Sequence, residues 1–438
     1  MQTTVTLSAS KIYRWYVVFI LLLAYCLSFI DRQIITLLVA PIRSDLNITD
    51  FEFSLLNMAF AIFFAIFGLP IGRLADRKNR RNIIVIGVIV WSFMTAMCGA
   101  AKTFIQLFAA RVGVGVGESS LAPSAYSILS DYFPSHELSK PMAVFSMGST
   151  MGTGLALLVG GAIVSSFANF GPIDVPFFGM LKAWQLSFII VALPGILIAF
   201  LVMTLREPPR TGITDIGVAE DKAIPYPVLF KYINERKRVY LPHFLGTALM
   251  GAVSSGTLLW YPTFMNRTYD LNIGDAGIQY GAVFLIFGLL GVIVGGWLSA
   301  ALAKRGYRDA NLRVLVVATA ASLVPYVAGP LMPTSNLALV LAACAIFLTQ
   351  MMAGVTVAAI QIITPNQLRA QLSALFLLIL NFVGMGMGAP IIAGFTDFFF
   401  VDDNMLRYSM VMVSVILIPI ASLLMLYAQR HYKQYVID

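Results

Sequence analysis

Charge is what this sequence has least of. Asp, Glu, Lys and Arg supply 11% of its 438 residues, where a soluble domain carries about 25%. Hydrophobic residues make up 59%, and the mean hydropathy is +0.85. So few charges cannot cover so much apolar surface in water. A soluble enzyme, a disordered chain and a nucleic-acid binder are thereby excluded. Cysteine and histidine are scarce too, at three each. Cys26, Cys98 and Cys344 sit in apolar runs without C-x-x-C spacing, which leaves neither a disulfide framework nor a metal site. His136, His243 and His431 fall in loops, at a helix start or in the tail. With no H-E-x-x-H and no G-x-S-x-G, zinc or Ser–His catalysis is not expected, and the chain does not read as an enzyme.

What is present is length of apolar run. Twelve stretches can cross a hydrocarbon core, beginning near Tyr13, Phe51, Asn82, Phe104, Pro141, Ala183, Tyr240, Ile278, Leu312, Asn336, Gln367 and Met405. Each reaches the roughly 17–25 residues that a crossing helix needs, far beyond the segments of a membrane barrel. The first run continues through Asp31-Arg32 to Val39 without a small-residue cleavage site, so it reads as a retained helix rather than a signal peptide.

With both termini placed in the cytoplasm, only Arg43, Lys102, Lys182, Arg267 and Arg407 fall outside, and Arg32 and Arg111 lie within helices. The other 22 of the 29 Lys and Arg are cytoplasmic, which sets the orientation by the positive-inside rule. The net charge of +8 then records topology and anionic inner-leaflet lipid, not nucleic acid. The expected location is a bacterial inner membrane.

One long polar interruption contains Glu207-Pro208-Pro209, Pro225-Tyr226-Pro227 and Arg236-Lys237-Arg238. It divides the chain into a first six-helix bundle (1–205), a cytoplasmic linker (206–239) and a second six-helix bundle (240–438). Ile66-Phe67-Gly68-Leu69 in helix 2 recurs as Ile286-Phe287-Gly288-Leu289 in helix 8. The expected fold is all-α: twelve transmembrane helices in two pseudo-symmetric bundles, with a site at the midplane between them.

Four charged residues lie inside the helices: Asp31 and Arg32 in helix 1, Arg111 and Glu118 in helix 4. Each is costly at the bilayer centre unless it faces a partner or a cavity. At 1.5 Å per residue Asp31 lies about 24 Å along helix 1 and Arg111 about 10 Å down helix 4. Glu118 follows about 10 Å deeper on the same face. Arg111 can therefore reach up to Asp31 or down to Glu118. Protonating one carboxylate would release Arg111 toward the other or toward an anionic substrate group, linking a proton to a conformational change. Gly113 and Gly117 have the small-xxx-small spacing of close helix packing. Arg32, Asn57, Tyr126, Gln361 and Asn381 could line a cavity or serve interhelical hydrogen bonds. Met351-Met352 and the Phe-rich second half offer an apolar wall.

The run Gly72-Arg73-Leu74-Ala75-Asp76-Arg77-Lys78-Asn79-Arg80-Arg81 resembles the loop 2–3 signature of the major facilitator superfamily, G-x-x-x-D-R-x-G-R-R, with Asn79 at a Gly position. Gly72 permits close helix approach, and Asp76 can pair with a nearby Arg and meet a helix N-terminus across the interface. With Arg77, Arg80 and Arg81 these residues form a candidate latch between the halves. The second-half counterpart, Gly296-Trp297-Leu298-Ser299-Ala300, has Ala at the Asp position.

More narrowly, Asp31-Arg32-Gln33, the stretch from Arg111 to Gly117-Glu118, and Ser130-Asp131-Tyr132-Phe133-Pro134 resemble the bacterial Spinster-like transporters, relatives of the animal Spinster lipid transporters. The resemblance implies proton-coupled movement of lysophospholipid or sphingolipid-like amphiphiles by a monomer. Asp31 and Glu118 would titrate, with Arg111 as their partner. Substrate would meet Arg111, Arg32, Tyr126, Asn57 and Asn381, and no cofactor beyond the proton gradient is implied. A symporter of small organic anions, such as a sugar acid or monocarboxylate, would suit Arg111 equally well.

Overall fold

Helix starts are written in the sequence as hydroxyl and amide caps. Ser10, Thr49, Asn79, Thr103, Asn272 and Thr334 each accept a hydrogen bond from a backbone N–H in the first turn that follows. Thr49 and Glu52 complete a reciprocal capping box. The computed structural model describes residues 10–134, 137–167, 172–175, 179–209 and 226–435. His136 and the side chain of Asp76 lie outside the described residues.

Ten helical spans are long and apolar enough to cross a membrane. Two further segments complete twelve. Helix 4 runs as Phe104–Glu118 and Leu121–Tyr132, and helix 7 is Lys237–Tyr269. Helix 4 breaks at Ser119 and Ser120, whose hydroxyls bond back to the carbonyls of Val116 and Gly117. Helix 6 breaks at Pro194, which cannot donate to the helix ladder. Helix 11 begins as Asn366–Ile379 and then passes through wide π turns at Leu380–Gly386 and Phe395–Phe400 around Pro390. Inside the stretch read from sequence as a plain linker, Tyr226–Glu235 forms a helix of its own, and helix 7 starts at Lys237. Its apolar residues there fall at helical spacing, a signal hidden among the prolines and charges.

One end of the bundle gathers both extremities of the described chain. Tyr13 and Tyr16 reach Arg206 and Thr204, and Lys433 pairs with Asp309. The opposite end carries the short helix Val39–Leu46 and a hairpin pairing Ile173–Val175 with Gly179–Leu181.

The halves touch most closely at that opposite end. Helix 5 (Ser139–Phe167) meets helix 8 (Ile273–Lys304) backbone to backbone. A Cβ on Gly161 would lie 2.5 Å from the Gly274 carbonyl, and one on Gly281 2.7 Å from the Leu158 nitrogen. Helix 2 (Asp50–Arg77) meets helix 11 through Asn57, whose amide donates to the Met385 carbonyl at 3.4 Å, and through Phe51 against Phe398. Toward the terminal end the described glycines have more room. A Cβ on Gly68 or Gly296 would meet nothing within 4 Å, and one on Gly72 would meet only Pro123 of its own half.

Charge closes the touching end. Arg43 of the first half bonds Asp403 of the second at 2.7 Å, and Arg267 of the second bonds Asp50 of the first at 2.6 and 2.9 Å. Asp397 accepts from the Phe51 N–H at 2.7 Å, adding another bond across the halves.

Candidate functional site

Glycine brings the charged residues together. Helix 4 approaches helix 3 (Arg80–Ala100) through Gly113 and Gly117, where added Cβ atoms would strike Met94 and the Trp91 backbone. Gly115 faces helix 2, where a Cβ would lie 2.6 Å from the Phe60 carbonyl. This closeness sets Arg111 and Glu118 of helix 4 beside Phe60 of helix 2 and Asp31-Arg32 at the end of helix 1 (Lys11–Gln33).

All four charged side chains are buried: Asp31 and Arg111 are 0% exposed, Glu118 2% and Arg32 5%. The pairing differs from the one the helix arithmetic anticipates. Glu118 Oε2 is held by Arg32 at 2.7 Å, not by Arg111. Helical rise fixes depth but not azimuth, and the end of helix 1 turns Arg32 toward helix 4. Arg111 keeps Nε and Nη2 without a hydrogen-bond partner, as do both oxygens of Asp31 and Oε1 of Glu118. Glu118, Arg111 and Trp91 are the groups near enough to act on Asp31. An unsatisfied buried charge costs several kcal/mol, so one pair made beside two groups left open is an arrangement that calls for a visiting partner.

Aromatic rings carry the two cations. The Arg32 guanidinium carbon lies 4.4 Å from the Phe29 ring centroid, 4.6 Å from Phe60 and 5.0 Å from Phe64. Arg111 lies 5.1 Å from Phe60, which therefore serves both cations. From Phe29 a run of rings passes through Tyr25 and Phe145 to Tyr126. Phe29, Phe60, Phe64, Tyr25 and Phe145 do not stand out in the sequence, because an aromatic residue in so apolar a chain carries no signal until a cation is seen beside it.

Tyr126 reaches this cluster through that run of rings, and the other candidate residues lie apart from it. Tyr126 is 39% exposed and its hydroxyl meets Ser146 at 3.2 Å. Asn57 is engaged across the halves with Met385, and Asn381 donates to Leu377 of its own helix. The carbonyl of Gln361 accepts from Arg369. Met351 and Met352 are buried at the break in helix 10 (Ser335–Gln350 and Ala353–Ile362), under Gly295 of helix 8 and beside Thr319 of helix 9 (Ala310–Ala328), so they pack the second half instead of forming a wall.

Of the loop 2–3 residues, Arg80 and Arg81 are bound within their own half. Arg80 is buried and ion-pairs with Asp131 at the foot of helix 4 and with Glu207 after helix 6. The Arg81 N–H donates to Glu207 at 3.0 Å, and Arg77 is exposed.

Twelve apolar helices in two halves around a buried set of charges are the architecture of a membrane transporter. Residues 21–389 match the Major Facilitator Superfamily, and the chain belongs to that family. Within it the likeness runs to Spinster proteins. The structure superposes with a TM-score of 0.81 on a crystal structure of a bacterial homolog to human lysosomal transporter Spinster, in inward-facing and unoccupied conformation. That match has 28% identity and covers 98% of this chain and 100% of the other. Protein spinster of Drosophila melanogaster is 27% identical over 67% of this chain and 47% of its own length. An MFS-type efflux pump of Mycolicibacterium smegmatis is 28% identical over 89% of this chain and 86% of its own. A probable L-galactonate transporter of Escherichia coli is 25% identical over 68% and 64%. The chain is thus a multi-pass membrane transporter and not an enzyme.

Proposed function

We propose that the protein moves a lysophospholipid or sphingolipid-like amphiphile across a bacterial inner membrane by alternating access, driven by protons, with Asp31, Arg32, Arg111 and Glu118 as the coupling group. The observation that carries this reading is the half-satisfied cluster: Arg32 is bound to Glu118 while Asp31 and Arg111 have no hydrogen-bonded partner. A proton on Glu118 would free Arg32, and the Asp31 carboxylate is then the anion that acts on Arg111. An anionic substrate head at Arg111 completes the same balance of charge, which is how substrate and proton come to exclude or require one another. Likeness to Spinster proteins supports the amphiphile.

In this reading the end carrying the termini and the linker is cytoplasmic, as the distribution of Lys and Arg requires. The observed conformation then opens inward. The outer ion pairs of Arg43, Asp50, Arg267 and Asp403 must break before it opens outward, and the loop 2–3 residues Gly72, Asp76, Arg77, Arg80 and Arg81 would then close against the second half. A small organic anion is the second reading, favoured by the unpartnered guanidinium of Arg111 and by likeness to the L-galactonate transporter.

The test is flux of labelled lysophosphatidylcholine or lysophosphatidylethanolamine in proteoliposomes, with and without a pH gradient, for the wild type and Glu118→Gln. Gradient-driven flux in the wild type that disappears in the variant is expected. Protein-dependent flux of sugar acids but not of lysolipids would establish the second reading, and flux indifferent to both pH and the substitution would refute the relay.

A further inference from the structure

The linker helix Tyr226–Glu235 carries two large apolar side chains that belong to no membrane-crossing helix. Val228 is 50% exposed and Phe230 57%. The face between them is occupied. Leu229 and Ile233 are buried, and the Tyr232 hydroxyl donates to the Ile363 carbonyl at 2.9 Å, in the turn between helices 10 and 11. Tyr240, at the start of helix 7, bonds Thr364 in that turn at 2.8 Å. The linker helix is therefore fastened to the foot of the second half by one face and presents the other outward.

The exposed cations are Lys231 on this helix and Lys237 and Arg238 at the start of helix 7. Arg236 is otherwise engaged, with its guanidinium 3.9 Å from the Tyr232 ring centroid and 3.4 Å from Glu235, the one acid of residues 227–238. Lys237 is also the first residue of helix 7, so these cations sit where that helix leaves the bundle. A short amphipathic helix with apolar residues flanked by lysine and arginine, held at the level where spanning helices end, matches a bilayer interface in both polarity and charge.

We propose that the exposed face of residues 227–238 docks on the anionic phospholipid headgroups of the adjacent leaflet, with Lys231, Lys237 and Arg238 on the phosphates and Val228 and Phe230 between the headgroups. Assignment of that leaflet as the cytoplasmic one rests on the orientation in the proposed function; the docking does not.

The test places a nitroxide at Val228→Cys in the full chain, with Cys26, Cys98 and Cys344 changed to Ala, in vesicles of phosphatidylcholine alone or mixed with phosphatidylglycerol. Collision with oxygen relative to a water-soluble nickel chelate is expected to rise several-fold in the mixed vesicles. The rise should disappear in high salt and in the triple variant Lys231→Glu, Lys237→Glu, Arg238→Glu. A label that stays as water-exposed in mixed vesicles as one at Arg305→Cys in the helix 8–9 turn overturns the proposal, and this comparison needs no charge variant to fold. Labelling of Val228→Cys in intact cells by an impermeant maleimide would overturn the orientation while leaving the docking to stand.

Discussion

The two halves share a six-helix plan and handle buried charge in opposite ways. In the first half, besides Asp50 and Arg80, which are paired at helix starts, Asp31, Arg32, Arg111 and Glu118 are buried deep within the spans, and Asp31 and Arg111 keep polar atoms without hydrogen-bond partners. In the second half, among the described residues, the buried acid is Asp309, at the entrance to helix 9 (Ala310–Ala328). Arg313 at 3.0 Å, Gln429 at 2.9 Å and Lys433 at 3.7 Å surround it. A satisfied charge at a helix end fixes structure. Charges left open in mid-membrane carry a desolvation cost that packing alone does not explain, and so they belong to a step in which a partner comes and goes. The second half places its one buried histidine among aromatics instead, with His243 stacked 6.2 Å from Phe376.

The comparison breaks most readily at Arg32. Arg32→Ala leaves the Glu118 carboxylate buried without its partner, and a loss of about 3–5 kcal/mol is expected. Thermal unfolding in detergent reads this out, and recovery is expected in Arg32→Ala with Glu118→Gln, where no charge is stranded. Should the double variant be no more stable than the single, the pair is not what holds helix 1 to helix 4. Next comes the packing that positions the site. Gly117→Val drives a side chain into the Trp91 backbone and should cost about 1–3 kcal/mol, whereas Gly296→Ala, in open space, should leave the melting temperature unchanged.

A smaller effect is expected at the closed end. Arg267→Ala removes a bond set to Asp50 and Asp403 that is partly open to solvent. A shift of about 1 kcal/mol toward opening there, roughly fivefold in population, follows from losing such a pair. The rate at which a thiol reagent modifies Asn57→Cys reports it, and an unchanged rate would show that the Arg43 and Asp397 bonds and the glycine seam close that end without Arg267.

The smallest effect belongs to Asp309. Burial opposes ionisation of this carboxyl, but hydrogen bonds from Gln429 and Arg313 outweigh it and hold the group below the ordinary carboxylate range. A depressed folded-state value contributes stability above the unfolded value of about 3.9 and loses it as pH falls further. Asp309→Asn should therefore lower the melting temperature slightly at pH 7 and not at all in strong acid. An equal loss at both would mean that the side chain's shape matters and its charge does not.

Most of the architecture is legible in the sequence because hydropathy and helix caps are local signals. Twelve apolar runs, a cap residue at six helix starts and a loop 2–3 signature need no tertiary knowledge. The four buried charges can be found in the same way, since an ionisable residue in a span stands out against its neighbours. Their pairing cannot. Which arginine meets Glu118 depends on how helix 1 ends and on how far Gly115 and Gly117 let helix 4 sink between helices 2 and 3, and neither rotation is encoded in spacing. The linker helix escapes a sequence reading for the opposite reason: ten residues between prolines and a basic cluster are too few for periodicity to show.

The seam between helices 5 and 8 carries a mechanical consequence. Gly154, Gly161, Gly274, Gly277 and Gly281 bring backbone against backbone, with Leu37, Leu157, Ile278 and Leu285 fitted closely around them. Two rods whose backbones meet this closely can roll on one another with few side chains to move. The seam therefore acts as a bearing, and the resistance to turning is set elsewhere, by the arginine pairs at the closed end that must let go before the halves can rock the other way.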